Sequence, residues 1–442
     1  MQSESVSAAG FPHTRRCFHV KGHPEADQTS ERSAADCTLY VEHLVPFTSS
    51  PGRGETAKPP LVLIPGAAHT GACWVTKPDG EPGWSSFFLA RGHEVYLVDP
   101  PRTGRGGGGP WSSDAPGAPT PQFVAHRWTA VARHAPWPQA RLHTQWPGAS
   151  ATPTTAIGQP GDPVFDAYVA SLAPLPRGAD EAGAQLAMRA AGAALLDRIG
   201  RRVVLVAHSL GAPRALVVAD ARPALVAGLV ALEPNGPPWS VQAVGGGGGG
   251  GGGGSGGGVA LERAWGLTEA EMSWTPAPAP GGRPRVCCDD DEGRVKVGGR
   301  DGENDDPGNN DGGGGGRDDD GRGDGREMLG RTRFILRTEK STDPAVSDCT
   351  LQVEDETNGI VPRRLINLVD VPVAVVTGEA SHHAMYDWCT VKVLKQAGVR
   401  KVDHIELWKR GIRGNGHLFI LEKNSDEIAE VTRAWIQSLE AH

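Results

Sequence analysis

The sequence predicts an α/β protein built on a mostly parallel, doubly wound sheet with helices on its faces. Short and nearly continuous apolar runs recur along the chain, as expected for strands that are buried on both faces. Stretches with helical periodicity separate most of these runs, and repeated strand–helix units favour parallel pairing. A chain of 442 residues is long enough for two or three average domains. Much of it is poor in core-forming residues, so one large domain with insertions is the better interpretation.

The predicted elements alternate in chain order. The strands cover residues 61–64, 94–98, 203–206, 229–232, 371–376 and 404–407. The helices cover residues 84–91, 184–199, 212–221, 384–396 and 425–439. Asn424 and Ser425 are residue types that commonly cap a helix, and they favour a start of the last helix at this point. Functional residues of such a sheet are expected at the carboxyl ends of its strands.

Three stretches interrupt this alternation. The glycine run 245–258 has almost no side chains to bury and predicts a flexible loop. The segment 281–330 consists mainly of Gly, Asp, Arg and Asn, which is typical of disorder. The segment 106–180 is rich in Pro and Gly but also carries seven large aromatic residues. Aromatic residues at this density imply packing, so we expect an ordered cap that is helical or irregular.

The remaining boundaries follow from these insertions. We expect an N-terminal extension over residues 1–38 that is partly disordered. The core is then divided among residues 39–105, 181–244 and 331–442, and residues 259–280 form a segment associated with it.

Composition and charge exclude several classes of protein. Much of the acid that gives the net charge of −8 lies in the segment 281–330. No basic surface typical of nucleic-acid binding emerges. No apolar run approaches the ~20 residues that a membrane-spanning helix needs. The chain starts with Met-Gln-Ser-Glu-Ser, which lacks the basic and apolar regions of a secretory signal. We therefore expect a cytoplasmic protein.

The cysteines give no sign of a disulfide framework, because the seven of them are few, odd in number and scattered. Cys287 and Cys288 stand beside a run of aspartates, but no second pair of ligands follows at zinc spacing. The aspartate clusters also fail the template of a calcium-binding loop. We expect neither a metal nor an organic cofactor.

The strongest functional signal lies between residues 202 and 220. An apolar, β-branched run breaks at Ala-His-Ser-Leu-Gly, residues 207–211, and continues into an alanine-rich helical stretch. A serine at such a turn is held in a strained backbone conformation that exposes its hydroxyl, and small residues two places away let strand and helix approach closely. Ser209 is therefore the predicted nucleophile, against the alternative of a buried structural serine. His208 is expected to line the pocket, because adjacent side chains diverge at a sharp turn.

Several longer strings in the sequence are unusual and occur in a characteristic order. They are Pro65-Gly66-Ala67-Ala68-His69-Thr70-Gly71-Ala72-Cys73-Trp74, Pro78-Asp79-Gly80, Trp137-Pro138-Gln139, His143-Thr144-Gln145-Trp146-Pro147-Gly148, Ala231-Leu232-Glu233-Pro234 with Gly236-Pro237-Pro238, and Gly414-Asn415-Gly416-His417. With these strings the chain resembles the α/β-hydrolase superfamily, and more specifically a bacterial and fungal esterase-like family with a Ser-Glu-His triad. The resemblance spans residues 40–435 apart from the two Gly-rich insertions. Pro65 stands where the family usually has His.

A serine nucleophile needs a histidine base and a carboxylate that fixes the tautomer of that base. The resemblance places the base at His417, after the last predicted strand, with His382 and His383 on the preceding connection as alternatives. It places the acid at Glu233, at the end of the strand that follows the nucleophile. Most other α/β-hydrolases carry the acid one strand later, where this chain offers Glu379.

The tetrahedral intermediate of acyl transfer needs two backbone donors for its oxyanion. One candidate is the amide of Leu210, which directly follows the nucleophile. The other is the amide of Ala67, in the loop after the first predicted strand, where Gly66 permits a tight turn.

Together these features predict a serine hydrolase that cleaves a carboxylic ester through an acyl-enzyme. Aromatic residues of the cap, together with Trp74 and Trp239, predict an apolar substrate pocket of moderate size. A thioesterase, lactonase or amidase with the same triad is the nearest alternative, and a non-catalytic binding module with this fold is an alternative from another class. The predicted partner is a small-molecule ester, with no nucleic acid and no membrane span. The sequence leaves the identity of the ester and the oligomeric state open.

Overall fold

A computed structural model describes most of the chain. The described residues are 10–23, 37–47, 58–106, 119–148, 157–174, 181–240, 263–277, 284–286, 288–289, 295–296, 334–355 and 360–439. The predicted glycine loop 245–258 lies outside these residues, as does most of the segment 281–330.

Strands and helices alternate through the described residues. The strands are β1 (His13–Lys21), β2 (Thr38–Pro46), β3 (Leu61–Ile64), β4 (Val95–Asp99), β5 (Val203–His208), β6 (Val226–Leu232), β7 (Trp274–Thr275), β8 (Pro284–Val286), β9 (Cys288–Asp289), β10 (Val295–Lys296), β11 (Phe334–Glu339), β12 (Cys349–Gln352), β13 (Arg364–Leu365), β14 (Val373–Thr377) and β15 (Val402–Glu406). The α-helices are α1 (Trp84–Leu89), α2 (Pro121–Val124), α3 (Val131–His134), α4 (Pro163–Ala170), α5 (Glu181–Ile199), α6 (Gly211–Ala221), α7 (Asp387–Gln396) and α8 (Ser425–Ser438).

Short helical turns of other kinds complete the list. A π-helical turn covers Ala125–Thr129, and the 3-10 helices are Gly71–Trp74, Pro138–Leu142, Pro223–Leu225, Ile366–Leu368, His382–Met385, Leu407–Arg410 and Phe419–Leu421.

The central sheet has the strand order β1-β2-β4-β3-β5-β6-β14-β15. The six strands from β4 to β15 in this order pair in parallel, whereas β2 pairs antiparallel with β4 and β1 pairs antiparallel with β2. All six predicted strands lie in this sheet, which confirms the α/β-hydrolase fold class. The carboxyl ends of these parallel strands therefore meet at one edge of the sheet, where a functional site is expected. The strands β3, β5, β6 and β14 are among them.

The prediction of an N-terminal extension over residues 1–38 is wrong for β1, which forms the outer strand of the sheet. The physical reason is that β1 packs little of its surface. Most of its side chains are exposed, and Val20 is its one buried residue. An edge strand of this kind lacks the continuous apolar run that identified the central strands.

Two hydrophobic cores cover the two faces of the sheet, and β5 shows why both are needed. Its side chains alternate, so Val203 and Leu205 join one core while Val204 and Val206 join the other. Helices α5 and α6 cover the first face, and α1 and α8 cover the second. All six residues of β5 are consequently buried.

The cap lies beside the second core. Its described parts, 119–148 and 157–174, fold into short helices, and aromatic side chains from both parts pack into the core around Trp128 and Tyr168. The predicted dense packing of the cap aromatics therefore holds for these residues. In the segment 281–330, which was predicted to be disordered, β8, β9 and β10 are formed, and β8 pairs in parallel with β11. That part of the prediction is wrong.

The described chain also contains a disulfide bond, which the sequence pattern did not suggest. Cys349 in β12 is bonded to Cys389 in α7, at a sequence separation of 40. The tertiary fold brings these two scattered cysteines together, because α7 packs against β12. In the described structure, Cys17, Cys37 and Cys73 form no disulfide. Among the described helices, none combines the length and the apolar character that crossing a membrane requires.

Candidate active site

Ser209 lies in a sharp turn between β5 and α6. Its φ of +52° is in the left-handed region, which is strained for a residue with a side chain. The Ser209 amide donates to the carbonyl of Leu232 over 2.9 Å, which ties the turn to the end of β6. Gly211 lets the helix approach β3, because a Cβ there would lie 2.8 Å from the carbonyl oxygen of Ile64. Packing against both neighbouring strands therefore holds the strained turn in place.

The imidazole of His417 contacts both other residues of the predicted triad. Its Nε2 lies 3.1 Å from Oγ of Ser209, and its Nδ1 lies 3.0 Å from Oε2 of Glu233. In the tautomer with a proton on Nδ1, His417 donates to the carboxylate and accepts from the hydroxyl. The rival histidines, His382 and His383, form no hydrogen bond with Ser209 in the described structure.

The carboxylate of Glu233 is fully buried at the end of β6 and has a φ of +52°. The amide of Gly378 donates to its Oε1 over 2.7 Å, and the hydroxyl of Ser381 donates to its Oε2. Burial raises the pKa of Glu233 and the nearby Asp387 acts in the same direction, whereas the Ser381 and Gly378 donors oppose them. The contact with Ser381 was not predictable from the sequence, because only the fold brings the loop after β14 against β6.

The alternative acid, Glu379, lies elsewhere. It accepts from the guanidinium of Arg413 over 2.6 Å and from the amide of Gly414 over 3.0 Å. It therefore binds the loop that leads to His417 without touching the imidazole. Of the two candidate acids, Glu233 is the one that the fold places against the histidine.

The cavity at Ser209 contains several neutral histidines. Burial lowers the pKa of His69 to about 4 and that of His208 to about 3. It also lowers the pKa values of His382, His383 and His417 well below their usual range, and for His417 the neighbouring histidines and the charge of Arg127 act in the same direction. A neutral His417 has its Nε2 lone pair available to accept a proton.

The two predicted backbone donors belong to chain segments that lie close to Ser209. Leu210 follows Ser209 directly, and Gly66, next to Ala67, is so close to the turn that a Cβ there would lie 3.0 Å from Cβ of Ser209. Among the described residues, the amides of Ala67 and Leu210 donate to no other group. Both N–H groups therefore remain available to an oxygen bound above Ser209.

A buried chain of hydrogen bonds connects the cap to the loop that carries Ala67. Nδ1 of His69 donates to the carbonyl oxygen of Ala67 over 2.7 Å, and the hydroxyl of Tyr168 in α4 donates to Nε2 of His69 over 2.9 Å. Ala68 has a φ of +59°, and its carbonyl accepts from the amide of Ala173 over 2.9 Å. The cap thus fixes the conformation of this loop. His69 stands in one of the strings that carry the family resemblance, but its partner in the cap was not predictable from spacing.

The cavity has a volume of about 470 Å³, counting space continuous with solvent. The residues that line it are Ala67, His69, Phe123, Arg127, Trp128, His208, Ser209, Asn235, His382, His383, His417 and Leu418. His208 lines the cavity as expected, and its Nε2 donates to the carbonyl oxygen of His417 over 2.9 Å.

The expectation that Trp74 and Trp239 line the pocket is wrong. Both side chains are fully buried in the cores, Trp74 beside Trp84 and Trp239 beside Phe334. Their positions near predicted site residues in sequence gave no information about the direction of their side chains. Cap aromatics such as Trp128 line the cavity instead.

A second buried network supports the loop before His417. Glu422 accepts from Nε2 of His143 over 2.7 Å, from the side-chain amide of Asn415 over 2.8 Å and from the backbone amide of Gly416 over 3.0 Å. His143 belongs to the cap, so this network joins the cap to the histidine loop. His143 and Asn415 belong to the strings that carry the family resemblance, whereas no sequence pattern pointed to Glu422.

One group of described side chains has donor atoms close enough to share a metal ion. These are His382, His383 and His417, whose ring nitrogens lie within 4.8 Å of one another. The rings of His383 and His417 are stacked with an interplanar angle of 4°, so their in-plane lone pairs do not converge on one point. Both nitrogens of His417 also have partners already, Ser209 and Glu233. We therefore assign no metal to this group.

A known protein is similar to this chain over most of its length. The chain is 35% identical over 405 residues to a protein from a fungal species (strain ATCC 74256) named probable secreted lipase phiG, and the match covers 90% of this chain and 86% of the relative. No protein-family model matches the chain.

Solved structures with similarity over most of the chain include a novel bacterial esterase, with 17% identity, a TM-score of 0.49 and 97% coverage of both chains. Esterase Est22 has 12% identity and a TM-score of 0.37, covering 100% of this chain and 85% of the other. A bacterial heroin esterase has 11% identity and a TM-score of 0.36, covering 99% and 86%.

The expectation of a cytoplasmic protein is wrong. The finding that overturns it is the name of the fungal relative, a probable secreted lipase. The Cys349–Cys389 disulfide agrees with this correction, because disulfides persist mainly in oxidising compartments.

The lowered pKa of His417 gives a testable prediction. Because burial lowers the pKa of His417 below the usual 6.5, the imidazole loses its proton at lower pH than an exposed histidine does, and we expect its titration midpoint below that of an exposed histidine. Histidine-selective NMR during a pH titration measures this, with His417→Gln identifying the signal. A His417 midpoint at or above that of a free imidazole contradicts the prediction.

Proposed function

The chain belongs to the same family of α/β-hydrolase fold esterases and lipases as its fungal relative, and from this membership we propose how it hydrolyses carboxylic esters. Ser209, His417 and Glu233 act as nucleophile, base and acid of a catalytic triad. The observation that carries this proposal is the position of His417, whose two ring nitrogens contact the hydroxyl of Ser209 and the carboxylate of Glu233.

In the first half of the reaction, Oγ of Ser209 attacks the carbonyl carbon of the ester while Nε2 of His417 takes the hydroxyl proton. The carbonyl oxygen becomes an oxyanion. The amides of Ala67 and Leu210, which have no other acceptor among the described residues, donate to it. The intermediate then collapses, His417 gives its proton to the leaving alcohol oxygen, and an acyl-enzyme on Ser209 remains.

The second half repeats these steps with water. His417 takes a proton from the water as its oxygen attacks the acyl carbon, and the same two amides stabilise the oxyanion. Collapse returns the proton to Oγ of Ser209 and releases the carboxylic acid. Throughout, Glu233 holds the proton on Nδ1 of His417 and stabilises the imidazolium form.

Replacement of the nucleophile tests the proposal directly. Ser209→Ala removes the attacking oxygen, and we expect turnover of a short p-nitrophenyl ester to fall by a factor on the order of 10⁴ to 10⁶. Labelling by a serine-reactive phosphonate is lost in parallel. We expect the fold to be retained, because it does not depend on the hydroxyl of Ser209. Circular dichroism measures this. Turnover above about a tenth of wild type rules out Ser209 as the nucleophile.

The two glutamates provide a matched pair of variants. Glu233→Gln replaces the carboxylate by an amide that favours the wrong tautomer of His417, and we expect a loss in kcat of roughly 10⁴. Glu379→Gln weakens only the contact with Arg413 and Gly414, so the loss stays within about tenfold. Steady-state kinetics on one ester measure both. The reverse ranking would move the acid to the later strand.

The hydrogen-bond chain from the cap provides a further test of the oxyanion loop. Tyr168→Phe leaves Nε2 of His69 without its donor and loosens the loop that carries Ala67, so we expect kcat to fall about tenfold with little change in KM. Binding of a boronic acid transition-state analogue weakens by a similar factor. Tyr40→Phe removes a tyrosine hydroxyl from β2 and serves as the control. Unchanged kcat and inhibitor affinity in Tyr168→Phe contradict this role.

A further inference from the structure

Two polar side chains in the lining of the cavity have no hydrogen-bond partner within the described structure. One is the imidazole of His382, whose Nδ1 is buried without a partner. The other is the side-chain amide of Asn235, although both backbone groups of this residue are bonded. Most polar groups inside folded proteins are paired, so unpaired ones in a cavity need an explanation. A ligand that pairs with them provides one.

The imidazole of His382 is not explained by packing. The side chain is only 6% exposed, and its ring centre lies 5.3 Å from that of Trp137, 6.2 Å from that of Tyr386 and 5.0 Å from that of His417. A phenylalanine would make the same ring contacts without burying polar nitrogens. Because Nδ1 of His382 is buried, Nε2 is the nitrogen that a ligand in the cavity can reach. Orphaned N–H groups are rarer in proteins than orphaned acceptors, so we expect the proton on Nε2, where it can be donated.

Asn235 presents its side chain from a fixed backbone. Its amide donates to the carbonyl of Ser209 over 3.1 Å, and its carbonyl accepts from Nη1 of Arg263 over 2.7 Å. Arg263 is itself buried, and its Nε donates to Oε1 of Glu269 over 2.9 Å. The side chain of Asn235 therefore offers a donor and an acceptor to the cavity from a constrained position beside the nucleophile. Such a group loses less conformational freedom when it binds a ligand.

Both side chains lie on the same side of the nucleophile as the histidine. The ring of His382 packs against that of His417, and Asn235 follows Glu233 by two residues. In the proposed reaction the leaving alcohol oxygen takes its proton from Nε2 of His417, so the alcohol part of the ester lies within hydrogen-bond distance of this ring. Groups beside His417 are therefore placed to contact the alcohol part and not the acyl part.

We propose that His382 and Asn235 form a polar subsite for the alcohol part of the ester, and that the preferred substrates carry a second, neutral oxygen close to the ester oxygen. This inference rests on the proposed function, since it concerns the same cavity above Ser209. A hydroxyl or an ether oxygen accepts from Nε2 of His382, and a hydroxyl also donates to Oδ1 of Asn235. An ester of a hydrocarbon alcohol leaves both side chains unpaired, and a preference for such esters is the competing outcome.

The test uses three esters that differ in one oxygen. 2-Hydroxyethyl butanoate has an oxygen in the alcohol part where propyl butanoate has a carbon, and propyl methoxyacetate has one in the acyl part. Acid release is followed at constant pH, and kcat/KM of each oxygen-bearing ester is divided by that of propyl butanoate. In His382→Phe we expect the ratio for the 2-hydroxyethyl ester to fall about threefold to tenfold, as for loss of one neutral hydrogen bond. The ratio for the methoxyacetate stays the same.

Three further variants identify the cause. Asn235→Leu removes the second partner and lowers the same ratio by a similar factor. His382→Asn keeps a neutral donor and retains part of the preference. His126→Phe removes an exposed histidine of the cap that does not line the cavity, and it leaves the ratio unchanged. Thermal unfolding of His382→Phe separates binding from structure. Because His382 forms no side-chain hydrogen bond within the described structure, we expect the Tm to stay at the wild-type value or rise.

An unchanged ratio for the 2-hydroxyethyl ester in His382→Phe or in Asn235→Leu overturns the inference, and so does a fall in the ratio for the methoxyacetate instead. If one of the two variants does not fold, as judged by circular dichroism, the other decides. Failure of the proposed function looks different. In that case wild type hydrolyses none of the three esters and is not labelled by the phosphonate.

Discussion

The buried contact between His417 and Glu233 is the interaction on which the rest of the site depends. It joins two chain segments separated by 184 residues, and neither group has water to replace its partner. Burial of a carboxylate is unfavourable unless donors surround it. Gly378 and Ser381 supply two more donors, and this need explains why the loop after β14 must approach β6 so closely. The proposed catalytic geometry and the stability of the core therefore depend on the same buried hydrogen bonds.

The cap is part of this construction and not a separate lid. It contacts the oxyanion loop through Tyr168 and His69, and it contacts the histidine loop through His143 and Glu422. A third contact runs from the indole of Trp137 to the carbonyl of Ala380, beside the donors of Glu233, over 2.9 Å. Each of these three loops thus has a buried partner in the cap. Such contacts limit the motion of the loops and hold the donors in place before a substrate arrives.

Much of the fold and the elbow around Ser209 was predictable, because both depend on local patterns. Apolar runs identified the six central strands, and the elbow around Ser209 is a strand, a turn and a helix in direct succession. What failed depends on contacts distant in sequence. Exposed β1 has no apolar run, Cys349 meets Cys389 only through packing, and the direction of Trp239 follows from a core that includes Phe334. The family resemblance located Glu233; composition and spacing alone left Glu379 equally open.

Several histidines lie around Ser209, and the surroundings of one of them, His417, suit it to the proposed role of the base. Residue type does not decide this, since burial keeps all of them neutral. The hydrogen-bond partners of each ring decide which histidine is suited to act as the base. His208 donates to a carbonyl, and His383 contacts Tyr386 and Asp387, whereas His417 has a carboxylate on one side and the nucleophile on the other. A proton taken up by His417 is stabilised by Glu233 at once. The neighbouring histidines and the charge of Arg127 lower the pKa of His417 itself, so the contact with Glu233 is what favours a proton on this imidazole.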